Sequence, residues 1–130
     1  MSVVYVDTSA LGRVLMRESQ RLPILASLAG FEQITASRLM RTEFRRLGMR
    51  EDRVHEADML LDGISLLPID EALLQTVETL PPWNVGTLDA IHLATALRLA
   101  NTVRLDAIMT YDQRLAQGAR QHGLPVLSPT

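Results

Sequence analysis

Cysteine and lysine are both missing from this 130-residue chain. Without cysteine there is no disulfide, no thiolate zinc site and no thiol nucleophile, and a reducing compartment is permitted. Without lysine, every mechanism that depends on a side-chain amine is excluded. Aromatic residues are scarce: Tyr5, Phe31, Phe44, Trp83 and Tyr111 are all there are. None is interleaved with basic residues as a base-stacking platform would be, so a nucleic-acid module of the RRM or OB type is excluded. Long hydrophobic runs are absent too. The N-terminus lacks a basic region and reaches Asp7 after a few apolar residues, and the most hydrophobic later stretch, around residues 88 to 103, is broken by Asp89, His92 and Arg98. Neither a signal peptide nor a membrane span is expected, and a soluble cytoplasmic protein is.

What is present is arginine, which supplies all 13 basic residues in a chain of net charge −2. Its planar fork binds carboxylate and phosphate bidentately, so phosphate recognition stays available although the overall charge is not that of a basic nucleic-acid binder. A chain of this length is expected to form one domain, residues 1 to 130, that buries roughly two-thirds of its unfolded surface.

Apolar runs rich in β-branched residues alternate with segments of helical spacing. The expected strands are Val3 to Val6, Gln33 to Ala36, Ser65 to Ile69, Asp106 to Thr110 and Pro125 to Leu127. Pro23, Gly30, Gly48, Gly63, Pro81-Pro82, Gly118 and Gly123 punctuate the helical stretches between them. Strands separated by helices rather than tight turns predict an α/β fold, with a central, mostly parallel five-stranded sheet flanked by helices on both faces.

Four carboxylates stand where an ordinary core would not place them: Asp7, Glu43, Asp89 and Asp112. Ligands of open parallel sheets bind beyond the carboxyl ends of the strands. Asp7 and Asp112 follow strands and belong to that edge, whereas Asp106 precedes its strand and belongs to the opposite one. Asp70 follows a strand as well, but it has the grammar of a helix cap before Glu71-Ala72-Leu73-Leu74. Asp7 and Asp112 could also be caps, and Asp89 could serve the first turn of a helix capped by Thr87.

Glu43 is harder to explain in that way. With Ser37 capping a helix to about Leu47, it shares a direction with Ala36, Leu39, Met40 and Leu47, which places a carboxylate within an apolar stripe. Such a group needs a partner: Arg46 or Arg50 in a structural ion pair, or a cation shared with the other acids. Two carboxylates about 4 Å apart repel by roughly 4 kcal/mol at an effective dielectric near 20, so four cannot gather without compensation. A hard divalent ion supplies it, and oxygen-only ligation points to Mg²⁺ or Mn²⁺. The chemistry that suits such a site is phosphodiester hydrolysis by a metal-activated water.

The ordered set Tyr5-Val6-Asp7-Thr8-Ser9-Ala10, Thr35-Ala36-Ser37 leading to Glu43, Leu88-Asp89-Ala90-Ile91-His92-Leu93-Ala94-Thr95-Ala96, and Met109-Thr110-Tyr111-Asp112 with Arg114-Leu115 resembles the PIN-domain ribonucleases, specifically the VapC-type toxins of toxin-antitoxin pairs. The resemblance spans nearly the whole chain. It implies Mg²⁺ or Mn²⁺ held by Asp7, Glu43, Asp89 and Asp112, endonucleolytic RNA cleavage that blocks translation, a homodimer, and a VapB-like antitoxin whose C-terminal segment occludes the active site. A PIN-like domain that binds RNA or protein without cutting is the alternative. Receiver domains and haloacid-dehalogenase-like phosphatases also gather aspartates at strand ends, but they place a lysine beside the phosphate, which this chain cannot do.

Three secondary features accompany the acids. Arg38, Arg41, Arg45, Arg46, Arg50 and Arg53 could hold RNA phosphates or an acidic antitoxin segment, or simply pair with Glu32, Glu51 or Asp52. Thr8, Ser9 and Thr110 could orient a metal ligand. His92 is expected to be a hydrogen-bonded helix histidine rather than a catalytic one.

Overall fold

The computed structural model describes residues 1–130. Strand β1 (Val3–Val6) is followed by helices α1 (Thr8–Leu15) and α2 (Arg21–Ala29), then β2 (Gln33–Ser37), α3 (Arg38–Arg50) and α4 (Val54–Leu61). Next come β3 (Ser65–Leu67), α5 (Glu71–Thr79), α6 (Thr87–Ala100), β4 (Ala107–Met109), α7 (Gln113–Gln121) and β5 (Val126–Leu127). The five strands form one sheet in the order β3-β2-β1-β4-β5, with every neighbouring pair parallel. The expected α/β architecture is the one observed. All five expected strands are present, and β3 stops two residues early because Pro68 has no amide hydrogen with which to continue the ladder.

The alternation of side chains along β1 divides the core. Val4 and Val6 face a cluster with Ala10, Leu11, Val14 and Leu15 of α1, Met40 and Phe44 of α3, and Ala57 and Leu61 of α4. Val3 and Tyr5 face the other way, against Leu93 and Ala96 of α6 and Leu115 and Ala119 of α7. Helix α5 packs outside α6 through Leu73 against Ile91 and Ala94. Because β1 is buried on both faces, a continuous apolar run suits it better than a polar alternation.

The order of strands reverses at β1, which has β2 and β3 on one side and β4 and β5 on the other. A crevice therefore opens at the carboxyl ends of β1 and β4, the usual place for a ligand in such sheets. Asp106 is indeed at the opposite edge, where its Oδ2 accepts the amide of Val3 at 2.8 Å. Asp70 caps α5 by accepting the amide of Leu73 at 2.9 Å, and Arg98 donates to both its oxygens at 2.7 and 3.0 Å. One expected cap is corrected: Gly86, not Thr87, occupies the N-cap of α6 and makes no side-chain bond, so Thr87 is the first helical residue and Asp89 stays in the first turn. No helix is long and apolar enough to cross a membrane.

Gly48 sets the approach of α3 to α4. A Cβ there would sit 3.1 Å from the Cβ of Ala57 and 3.3 Å from both Arg53 O and Val54 Cα, none of which is a flexible tip. Gly48→Ala is therefore expected to lose about 1–3 kcal/mol to overpacking despite the better helix propensity of alanine. Urea unfolding checks this, and an unchanged or raised midpoint would show that the two helices can move apart freely.

Candidate functional site

Each of the four acids is delivered by a different element. Asp7 directly follows β1 and is buried, with 3% of its surface exposed. Its Oδ1 accepts the Ser9 hydroxyl at 2.7 Å and the Ala10 amide at 3.2 Å, and its Oδ2 accepts the Thr110 hydroxyl at 2.7 Å. The parallel register of β1 with β4, Val6 beside Met109, brings Thr110 there. Asp7 is thus a cap for α1 and a member of the cleft at once, and the same holds for Asp112, whose Oδ1 accepts the Leu115 amide at 2.9 Å at the start of α7. Capping uses Oδ1 in both, and because each carboxylate oxygen has two lone pairs, Oδ2 of Asp7 can still meet a ligand beside the Thr110 hydroxyl.

Glu43 lies in the second turn of α3, after the Ser37 hydroxyl accepts the Leu39 amide at 3.0 Å. Its structural partners are neither Arg46 nor Arg50. Its Oε1 accepts the Thr8 hydroxyl at 2.6 Å and pairs with His92 Nε2 at 2.9 Å, while the side chain keeps 26% of its surface exposed. The arginines have other neighbours: Arg45 pairs with Asp58 at 2.9 Å, Arg50 with Glu51 at 3.1 Å, and Arg53, at the start of α4, donates to the carbonyl of Leu15. Arg38, Arg41, Thr42, Arg45, Arg46 and Met49 line a separate groove of about 360 Å³ on the outer side of α3.

His92 ties the sheet to this carboxylate, a link that sequence reasoning missed. The ring is 2% exposed, its Nδ1 is 2.9 Å from the Tyr5 hydroxyl, and its Nε2 meets Glu43. The tautomer with hydrogen on Nε2 satisfies both contacts: Nε2–H donates to the carboxylate and Nδ1 accepts from the phenol. Tyr5 is itself fully buried, so neither partner has water as an alternative. A histidine inside an apolar helical run signalled burial, but nothing local in sequence named partners 49 and 87 residues away.

The electrostatics show which acids feel one another. Burial raises the pKa of Asp7, and its three hydrogen bonds, together with His92, only partly counter this. Burial also raises Asp89, and the charge of Asp112, a hydrogen bond with Asp112 and the charge of Asp7 push it further, to about 6. For Glu43 burial again pulls upward, but the hydrogen bonds from His92 and Thr8 outweigh it and hold the group below its ordinary value. Asp89 therefore feels the charge of both Asp112 and Asp7, and Glu43 is tied to Thr8 and His92. Thr8, Ser9 and Thr110 each hold one of these carboxylates in place.

The sequence profile of the PIN domain family matches residues 4–121. The chain is a PIN-domain protein. Within that family it belongs with the VapC ribonucleases: it is 36% identical over 134 residues to ribonuclease VapC47 of Mycobacterium tuberculosis, covering 98% of this chain and 97% of that one. The same PIN fold occurs in the crystal structure of VapC20 from Mycobacterium tuberculosis, a sarcin-ricin loop cleaving toxin, at a TM-score of 0.74 and 14% identity, covering 97% and 99% of the two chains. It occurs again in a toxin-antitoxin complex from Klebsiella pneumoniae, at a TM-score of 0.75 and 20% identity, with 98% of each chain covered.

A divalent metal is what PIN membership implies, and the residues can be tested for it. The available donors are all carboxylate oxygens, the set a hard cation prefers. Burial first, and then Asp112 and Asp7, raise the pKa of Asp89, while His92 offsets this only in part, so a cation would be welcome beside it. The donor chemistry fits. The spacing is not preset, however, since no three acids or histidines already stand grouped for metal binding.

Proposed function

We propose that this PIN-domain protein is a Mg²⁺- or Mn²⁺-dependent endoribonuclease, the toxin of a VapBC-type pair, with Asp7, Glu43, Asp89 and Asp112 as its metal-holding and catalytic residues. The observation that carries the reading is Asp89, placed where it feels the charge of Asp112 and Asp7 at the carboxyl edge of a parallel sheet, in a chain that is 36% identical to a ribonuclease. When bound, the ion would supply a water of lowered pKa and offset charge on the reacting phosphate.

The protein's own groups divide the remaining work. Asp7 forms the rigid floor, since three donors fix both its oxygens. Asp89 and Asp112 share negative charge at the open side, which a bound cation would offset. Glu43 is kept ionised by Thr8 and His92, both of which use Oε1, so that Oε2 remains for a ligand. The arginine groove on α3 suits RNA phosphates, or the acidic part of an antitoxin, through bidentate contacts. The Klebsiella pneumoniae neighbour is a toxin-antitoxin complex, which supports an antitoxin partner here. A homodimer acting in the cytoplasm completes the proposed reading.

The test is incubation of purified protein with structured RNA in the presence of Mg²⁺ or Mn²⁺. Cleavage that EDTA abolishes and added metal restores is expected. Cleavage unaffected by chelation would remove the metal from the reaction, and RNA binding without cleavage would identify a PIN-like domain that no longer cuts.

A further inference from the structure

Trp83, the only tryptophan of the chain, is held almost wholly in water, with 93% of its surface exposed. A large aromatic is normally the last residue a fold leaves outside, so its position calls for an account. It does not hang from a loose loop. The preceding Pro81 carbonyl is 2.7 Å from His122 Nε2, and Pro82 and Val85 pack over Gly118 of α7 so closely that a Cβ there would meet Val85 at 3.2 Å and Pro82 at 3.5 Å. The segment is pinned on both sides of the indole, and the ring projects from between the pins.

Its surroundings point to one chemistry. Leu80 to Leu88 carries no charged residue, in a chain where 22% of residues are charged. Together with Val77, Leu80, Thr87 and Ala90, the indole lines a cleft of about 580 Å³, large enough for a small planar group. Thr87 and Ala90 bring the first turn of α6 to this cleft, and Asp89 stands in the same turn on another side of the helix. Four steps at full extension and two helical steps limit the backbone distance from Trp83 to Asp89 to about 17 Å, the reach of a few nucleotides. An uncharged aromatic face offers nothing to a phosphate, but it suits the π-face of any nucleobase.

We propose that Trp83 is the stacking anchor for an unpaired base of the RNA substrate, on the cleft that adjoins the first turn of α6. This rests on the ribonuclease reading. It differs from an RRM or OB platform in using a single ring: one nucleotide flanking the cut is gripped by stacking while the arginines hold backbone.

The only tryptophan is its own reporter. The Asp89→Asn protein, used to prevent turnover, is titrated with a fluorophore-labelled, mixed-sequence, single-stranded oligoribonucleotide, following both indole emission and probe anisotropy, with Asp89→Asn/Trp83→Ala and Asp89→Asn/Trp83→Phe beside it. Wild type, Trp83→Ala and Trp83→Phe are compared for metal-dependent cleavage. Saturable quenching of the indole is expected, with affinity falling about 5- to 150-fold in the alanine variant and largely kept by phenylalanine. Cleavage by Trp83→Ala should show a raised KM and an unchanged kcat. Binding without quenching, or equal affinity of the alanine variant, would overturn the stacking role and leave the ribonuclease reading intact. Indole emission that changes on protein dilution but not with RNA would overturn it in favour of a contact between copies of the chain. Absence of cleavage by wild type would overturn the reading beneath it.

Discussion

Asp89→Asn should lower metal-dependent RNA cleavage by well over a hundredfold and, in metal-free protein near neutral pH, raise stability. With Asp89 as a proposed metal ligand, the effect of its removal should exceed the roughly 10- to 100-fold cost of altering a group that merely supports one. The gain follows from the pKa of Asp89, which burial and the charges of Asp112 and Asp7 raise from 3.8 to about 6. A carboxyl that binds its proton more tightly folded than unfolded favours the folded state at low pH, and that contribution is lost as pH rises from about 4 to 6. Two pH units correspond to about 3 kcal/mol, and screening of a side chain open to water on one side reduces this to about 1 kcal/mol. The amide cannot ionise, so the variant keeps what the wild type loses, an advantage of about 4 °C in Tm at pH 7 that shrinks toward pH 4. Mg²⁺ or Mn²⁺ should raise the wild-type Tm and reverse the order. Asp7→Asn should also abolish cleavage, but it should destabilise by about 1–2 kcal/mol, because both oxygens of Asp7 accept hydrogen bonds and an amide offers only one acceptor. Identical melting curves for wild type and Asp89→Asn from pH 4 to 8 would mean that the acids do not strain one another.

Strand polarity is the part of this site that a sequence carries well. Val3–Val6 and the residues before Met109 are apolar runs bounded by polar groups, and once both are taken as parallel strands, the residue after each faces the ligand edge. That logic separates Asp112 from Asp106 although only six positions divide them, and the amide of Val3 bonded to Asp106 confirms the opposite edge. Helix periodicity likewise singled out Glu43, since a carboxylate in a stripe with Ala36, Leu39, Met40 and Leu47 has to be accounted for locally. Its partner was beyond reach. Arg46 and Arg50 were near in sequence, but Thr8 and His92 reach Glu43 only because α1 and α6 converge on α3 at the end of the sheet, on opposite faces of β1. The same limit applies to Trp83: a count of aromatics shows there are too few for a platform, and only the packed fold shows one of them left in solvent. The Thr87 cap failed for a smaller reason, a shift of one residue that a glycine with extended backbone makes as well as a threonine.

His92→Ala should be the most costly change outside the acids. It empties a buried ring position and strands the hydroxyl of Tyr5, which has no exposure through which to recover a water. Cavity and unsatisfied donor together are expected to cost about 3–4 kcal/mol in urea unfolding. Tyr5→Phe, which deletes the hydroxyl instead of stranding it, should cost about 1 kcal/mol. The catalytic effect runs through Glu43. Burial alone would push its pKa up, and the bonds from His92 and Thr8 are what hold it down. A carboxyl with a depressed folded pKa contributes stability above its unfolded value of 4.5 and loses it as pH falls through the folded value, so this contribution should vanish with His92. Loss of the imidazole should therefore move the acid limb of the cleavage–pH profile to higher pH, and rates at neutral pH should fall about 10- to 100-fold. His92→Gln, whose amide can still donate toward Glu43, should recover part of the limb but not the stacking volume of the ring. A limb that stays in place in His92→Ala, with rates falling only in proportion to the folded fraction, would reduce His92 to a packing residue. Movement of the limb in both variants, graded by what each can donate, would make it the group that sets the charge of Glu43.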